Sequence, residues 1–303
     1  MTSQRPDQGE LTNPRAERVR AVAALAGRSA RVRTGRFLVE GPQAVREAVR
    51  HTPAAVRAVY LSDEAAARHP EIAVAADDAG LPLWLGTPEV LAAMSGDAQG
   101  VVAVADQLGA ALDDVLAARP RLVALLARVR DPGNAGTVIR AADAAGADAV
   151  VLSEDSVDAF NPKVVRATAG SLFHLPVVVG VGLADAVVAL RRTGLTVLAA
   201  DGKGALDLDE LLDVAGRRAH PGADRAARRP GASGAPVRPA DEDTPDLAGP
   251  TAWLFGNEAW GLPDEELALA DAAVRVPIRG AAESLNLATA AAVCLYASGR
   301  AQR

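Results

Sequence analysis

Three short polar clusters follow apolar runs and carry residue types that could do chemistry. The first runs from Asp131 to Arg140 and holds Asn134 and Arg140. The second ends in Gly256-Asn257-Glu258, and the third, Glu283 to Asn286, holds Ser284 and Asn286. Between them they offer amide, hydroxyl, carboxylate and guanidinium groups, the set that orients a polar substrate and steadies a developing charge. Each lies where a strand should give way to a loop or helix, and open α/β sheets bind ligands at that edge. Each also has a plain structural reading. Asn134 reads as the N-cap of a helix from Ala135 to Ala145, with Arg140 nearly two turns in. Glu258 reads as an acidic residue near a helix start, and Ser284 and Asn286 as caps of a final helix.

The elements that must position these clusters alternate. A basic helix is expected over residues 15–27, then a strand at Phe37-Leu38-Val39 and a helix from Gln43 to about Arg50. Val56 to Leu61, Gly80 to Leu85 and Gly100 to Ala105 read as strands, with helices from Asp63 and Pro88. Residues 15–106 therefore form a small α/β unit, and 107–120 a linker. In 121–303 the apolar run Leu122 to Ala127 reads as a strand covered on both faces. Further strands follow at Ala149 to Leu152, Pro176 to Val181, Thr196 to Ala200, Thr251 to Phe255 and Ala273 to Ile278. Asn161-Pro162-Lys163 opens a helix with proline in its first turn, and Ser284 to Ala297 is a last helix. Such alternation predicts a mostly parallel sheet flanked by helices. Residues 1–14 and 216–250 lack apolar periodicity and read as a disordered tail and a disordered insertion.

At 303 residues with 50% hydrophobic content, the chain can bury a sizeable core in two domains. It has no apolar run long enough to span a membrane and no apolar signal core near Met1, which points to the cytoplasm. Its one cysteine, Cys294, lies in an apolar helical pattern and reads as buried. The four histidines show no metal-ligand spacing, so no metal is expected. P-loop and hydrolase-elbow motifs are absent, and Gly180-Val181-Gly182 meets Asp185 where a dinucleotide fingerprint needs glycine or alanine. The net charge of −6 argues against nucleic acid, but its distribution does not. Ten arginines fall between Arg15 and Arg57, opposed only by Glu17, Glu40 and Glu47. Local positive charge governs contact with phosphate.

In order and context, the three clusters resemble the motifs of the SpoU (TrmH) family of RNA ribose 2′-O-methyltransferases, of the SPOUT superfamily. Asn134, Gly136 and Arg140 match the first motif, Leu254 to Leu262 the second and Val276 to Tyr296 the third. The run Asn161 to Pro176 is also family-like. Phe37 to Gly41 and Gln99 to Val104 more loosely resemble the ribosomal-protein-like substrate-binding domain often fused to that family. Departures are Ala259 in place of a usual glycine, Ala135 in place of a larger residue, and the 216–250 insertion.

The resemblance implies a trefoil-knotted C-terminal sheet, a homodimer and S-adenosylmethionine as methyl donor. The donor would be cradled by the backbone around Gly256, Asn257, Val276, Ile278 and Leu285. It implies catalytic roles for Arg140, Asn134, Glu258, Ser284 and Asn286, with Arg140 as base or as phosphate anchor and Asn134 orienting Arg140 or the ribose. RNA contact is expected at Arg28, Arg31, Arg33, Arg36 and Arg166. Ribosomal RNA is the favoured substrate. A transfer RNA methylase, or a non-catalytic RNA-binding module with a vestigial pocket, are the alternatives.

Overall fold

The computed structural model describes residues 10–219 and 244–303. They fall into two compact units. One holds the chain up to Gly109 together with Asp131–Arg140 and Val157–Val177; the other holds Ala110–Arg130, Ala141–Ser156 and Val178–Arg303. The expected disorder at residues 1–9 and 220–243 lies outside the described residues.

The first unit is built on a four-stranded sheet of β1 (Arg36–Glu40), β2 (Val56–Leu61), β3 (Leu83–Leu85) and β4 (Val101–Asp106), in the order β1-β4-β2-β3. β4 runs antiparallel to β1 and β2, while β3 is parallel to β2. Val101 to Ala105 are all buried, as the near-continuous apolar run requires of a central strand. Helices α1 (Glu17–Ala23), α2 (Arg28–Thr34), α3 (Pro42–His51), α4 (Asp63–Arg68), α5 (Pro70–Asp78) and α6 (Pro88–Met94) surround it. Ser62 and Thr87 cap α4 and α6 by accepting from the N–H groups of Ala65 and Val90.

Three sequence expectations need correction in this unit. The helix expected over 15–27 ends at Ala23 and tightens into a 3₁₀ turn, and α2 follows separately, stopped by Gly35 at φ +65°. α5, opened by Pro70, was not expected at all. Leu11, placed in the disordered tail, instead pairs with Gly86, its N–H donating to the Leu85 carbonyl at 2.9 Å.

Two later segments complete the first unit. Phe37 is fully buried, with Phe160 at 5.0 Å and Phe173 at 6.3 Å between ring centroids. The helices α8 (Pro132–Ala145) and α9 (Pro162–Ala167) meet at Gly136. A Cβ there would lie 2.5 Å from the Ala167 Cβ and 2.5 Å from the Val164 carbonyl oxygen.

The second unit carries β5 (Leu122–Leu126), β6 (Ala149–Ser153), β7 (Val177–Val181), β8 (Thr196–Ala200), β9 (Leu206–Asp207), β10 (Thr251–Phe255) and β11 (Ala272–Arg275). They form one seven-stranded sheet in the order β7-β6-β5-β10-β8-β11-β9. The β6-β5, β5-β10, β10-β8, β8-β11 and β11-β9 pairs are all parallel. The α/β class and mostly parallel sheet expected from the alternation are therefore present. β10 is buried along its whole length, and the Trp253 indole N–H donates to the Ser298 hydroxyl at 2.8 Å. Helices α7 (Leu112–Ala117), α10 (Leu183–Arg192), α11 (Leu208–Ala219), α12 (Asp264–Leu267) and α13 (Leu287–Ala301) flank the sheet. Cys294, on α13, is fully buried as expected, and burial pushes its thiol up to about 12.

The linker expected at 107–120 contains α7, whose Val115 packs into the core. The insertion expected over 216–250 is ordered at its near end, where α11 runs to Ala219. Its far side is also ordered, with Leu247 fully buried. No described helix is long and apolar enough to cross a membrane.

Gly136 gives a test of this packing. Alanine would favour the helix by about 1 kcal/mol over glycine. Overpacking against atoms that cannot retreat costs about 1–3 kcal/mol, and one of the two contacts is a backbone carbonyl. Gly136→Ala is therefore expected to lower the urea midpoint, and a raised midpoint would refute the close approach.

Candidate active site

The adjacent parallel strands β10, β8 and β11 end at one edge of the sheet. The loops leaving them line a cavity of about 720 Å³, in the range of small-molecule sites. Asp201 and Gly202 come from the first loop in sequence, Gly256 to Ala259 from the second, and Val276 to Leu285 supply much of the rest.

The second loop is locked by its own backbone. The N–H of Asn257 donates to the Gly261 carbonyl at 3.0 Å, and that of Gly261 returns to the Asn257 carbonyl at 2.8 Å. Gly261 sits at φ +69°. At Gly256 a Cβ would meet the Gly261 carbonyl carbon at 2.4 Å, so no side chain fits. Asn257 is buried. Its Oδ1 accepts from the Ala259 N–H at 2.9 Å, and its Nδ2 donates to the Arg128 carbonyl at 2.8 Å. The side chain of Asn257 thus ties the loop after β10 to the loop after β5, while the residue also lines the cavity.

The charges around the cavity are mostly acidic. Asp201, Glu258 and Glu283 line it, against one cation, Arg275. That guanidinium is already engaged, donating to the carbonyls of Gly204 at 3.0 Å and Ala205 at 3.3 Å and pairing with Asp207 at 3.2 Å. Gly204 permits this, because a Cβ there would lie 2.7 Å from the β11 backbone. The balance favours a cationic or neutral ligand over a pyrophosphate. Beside the cavity loop, the Arg130 N–H reaches the Glu258 carboxylate at 3.5 Å, and its guanidinium lies 5.4 Å from the Trp260 ring. Trp260 is 51% exposed, a flat apolar surface of the kind on which nucleobases stack.

Of the residues singled out in the sequence, Gly256, Asn257, Glu258, Val276, Ile278, Ser284 and Leu285 all line this cavity. Asn286 caps α13, its Oδ1 accepting from the N–H groups of Ala288 at 2.9 Å and Thr289 at 3.4 Å. Asn134 and Arg140 lie in the first unit on α8. The expected cap at Asn134 is corrected: Asp131 precedes the helix, accepting from the Asn134 N–H at 2.7 Å, and Pro132 opens it. Asn134 is thus half-buried inside the first turn, and Arg140 is exposed on the same helix. Six residues separate them by about 9 Å along the axis and about 120° around it, so they are not neighbours on the helix surface. Sequence reasoning missed Asp201 and Trp260. The signal for Asp201 was the Asp-Gly-Lys-Gly turn after an apolar run; Trp260 was a rare tryptophan inside the second motif.

Among the arginines expected to meet RNA, Arg28, Arg33 and Arg36 are exposed. Arg166 pairs with Glu40 and, at 3.0 Å, with Asp97. Arg31 is corrected. It is 2% exposed, paired to Asp158 at 2.7 Å, and its Nη1 donates to the carbonyls of Leu25 and Ala26. A guanidinium so satisfied holds the fold together and presents no charge to a phosphate.

A ligand cavity at the carboxyl edge of a parallel sheet, formed by the loops of three adjacent strands, defines an α/β enzyme of the sheet-edge type. Comparison with known proteins makes the class specific. The model of the SpoU rRNA methylase family matches residues 121–296, and that for RNA 2′-O ribose methyltransferase substrate binding matches residues 38–110. The chain is 30% identical to the 23S rRNA (guanosine(2553)-2′-O)-methyltransferase RlmP of Bacillus subtilis, over 95% of this chain and 98% of that protein. It is also 30% identical to the 23S rRNA (uridine(2479)-2′-O)-methyltransferase of Streptomyces viridochromogenes, over 92% of this chain and 87% of that protein. An AdoMet-bound rRNA methyltransferase from Sinorhizobium meliloti superposes with a TM-score of 0.74 at 28% identity, covering 96% of this chain and 97% of that one. The SpoU methyltransferase AviRb from Streptomyces viridochromogenes, in complex with the cofactor AdoMet, gives 0.72 at 29% identity, with 94% and 98% covered. The chain belongs to the SpoU rRNA methylase family, and its activity is methyl transfer to ribose 2′-oxygens of RNA.

The two kinds of arginine separate by experiment. Breaking a buried ion pair costs about 3–5 kcal/mol, so Arg31→Ala is expected to lower the melting temperature sharply. Arg33→Ala should leave melting unchanged and flatten the salt dependence of RNA binding. The reverse pattern would overturn the division.

Proposed function

We propose that this protein methylates a ribose 2′-hydroxyl of 23S ribosomal RNA, with S-adenosylmethionine held in the cavity on the loops after β8, β10 and β11. The observation that carries this reading is that cavity. It joins the residues of the second and third motifs, has a suitable volume and is acidic once Arg275 is engaged. When bound, S-adenosylmethionine supplies an electrophilic methyl group on a positively charged sulfur. Asp201, Glu258 and Glu283 would favour that positive charge, and the cavity walls at Gly256, Val276, Ile278 and Leu285 would hold the adenosine. The two 23S methylases that the chain resembles act on a guanosine and a uridine, so the shared target is the ribose rather than the base.

The reaction replaces the 2′ O–H bond by an O–CH₃ bond at the expense of the donor's S–CH₃ bond; the sulfur leaves as a neutral thioether and the proton passes to solvent. Arg140 is the cation that steadies the 2′-oxygen as the proton leaves. A guanidinium titrates above about 12, which makes it a costly base at neutral pH but a permanent anchor for phosphate or oxyanion. Arg140 and Asn134 of one subunit act toward the donor cavity of the other, where Ser284 holds the ribose, and Asn286 keeps α13, and with it the third loop, in place. The exposed Arg28, Arg33 and Arg36 bind RNA phosphates. Ribosomal RNA is favoured over transfer RNA by the substrate-binding match at residues 38–110 and by the 23S relatives. The enzyme acts in the cytoplasm, where that RNA is transcribed.

Removing one donor to a developing oxyanion lowers kcat by about 10²–10³-fold. Arg140→Ala is expected to show such a loss in methyl transfer to 23S RNA, with calorimetric S-adenosylmethionine affinity kept within about twofold of wild type. Near-normal turnover would remove Arg140 from the chemistry. Absence of any S-adenosylmethionine binding to the wild-type protein would sink the whole reading.

The working form is a two-fold homodimer. Val293 and Tyr296 are 41% and 52% exposed on one face of α13, an apolar patch suited to a second copy. Light scattering at assay concentration should return twice the chain mass, and an active monomer would contradict it.

A further inference from the structure

We propose that Glu47, His51 and His174 form a binding site for one divalent transition-metal ion, with zinc the best fit. Their ligand atoms lie within 4.8 Å of one another. Glu47 and His51 are one turn apart on α3 and so share a face of that helix. His174 arrives from the end of the 3₁₀ turn Ser171–Phe173, in a segment that packs within the same unit. Sequence spacing hid the cluster because two of its members are separated from the third by more than a hundred positions.

Two of the three ligand-atom distances match coordination geometry, and the third lies within 4.8 Å. Glu47 Oε2 is 3.3 Å from Nε2 of His51 and 3.3 Å from Nε2 of His174. An ion with bonds of about 2.0–2.1 Å in a tetrahedron spaces its ligand atoms about 3.3–3.4 Å apart. Charge-assisted hydrogen bonds would be shorter, about 2.7–2.9 Å. The two imidazole rings stand 4.5 Å apart between centroids, close enough for both to reach one ion.

The carboxylate is ready to bind. Arg46 engages the other oxygen, Oε1, at 3.3 Å and leaves Oε2 to the histidines. The carboxylate is also fixed in place. Gly170 lies over its stem at φ +102°, where a Cβ would come within 2.6 Å of the Glu47 Cγ. His51 is half exposed, so a water can take the fourth position. Two imidazoles and one carboxylate select zinc, cobalt or nickel over magnesium or calcium, which prefer all-oxygen shells. The bound ion would clamp α3 to the segment that carries His174.

The test uses the full-length, tag-free protein. Calorimetry with Zn²⁺ should give one ion per chain, Co²⁺ should develop the visible absorption of tetrahedral coordination, and Mg²⁺ should give no heat. His51→Ala and His174→Ala are each expected to weaken Zn²⁺ at least about 100-fold, since even outer-shell partners are worth about 10–100-fold. His51 is exposed enough that His51→Ala should melt like wild type without metal, while losing the rise in melting temperature that Zn²⁺ gives the wild type. Failure of the wild type to take up one Zn²⁺, or uptake unaltered by His51→Ala, overturns the site.

Discussion

Everything in the second unit depends on the parallel pairing of β10 between β5 and β8. Thr251 aligns with Leu122 on one side and with Thr196 on the other, and the three strands keep step to Phe255, Leu126 and Ala200. β10 is buried throughout, so its backbone groups have no water to turn to and must pair along the ladder. A slip of one residue would exchange the two faces of the strand and carry the Trp253 indole away from the Ser298 hydroxyl it bonds. Register therefore fixes where the strands end. Because they are parallel, the loops after β8 and β10 leave from the same edge, and a cavity forms there without any loop having to fold independently.

What those loops do follows from a division between main chain and side chain. Gly256 and Gly261 allow a turn tighter than any Cβ would permit, and Asn257 spends its whole side chain holding that turn to the loop after β5. The polar group named most naturally as a ligand contact is thus a positioning group. Arg275 is similar: its charge is consumed by two carbonyls and Asp207. The acidic character of the cavity comes as much from this neutralisation as from the carboxylates themselves.

The first unit shows how poorly charge counting separates surface from core. Arg31 and Arg33 are two residues apart in the same arginine-rich stretch, yet one is buried and the other exposed. Helix geometry turns adjacent positions to opposite sides, and Asp158 waits on the inner one. Phe37 provides the apolar counterpart by packing on Phe160 and Phe173. Segments read from the alternation pattern as belonging to the later part of the chain thereby build part of this unit.

The family resemblance picked out the cavity-lining residues of the second and third motifs, and the sequence by itself determined the α/β class, most strands to within a residue or two and the burial of Cys294. These are legible because apolar runs, proline at helix starts and glycine at tight turns act locally. Asp131 as the cap of α8 is legible too, from the Asp-Pro pair that opens the helix. Only the tertiary structure decided that Asn257 is a tether, that Arg31 is internal, that α7 belongs to the core and that His174 meets Glu47 and His51. In each case the partner is an atom distant in sequence, such as the Arg128 carbonyl or the Asp158 carboxylate. A residue's type states what it can bind, but the close packing of remote segments determines which of those bonds it makes.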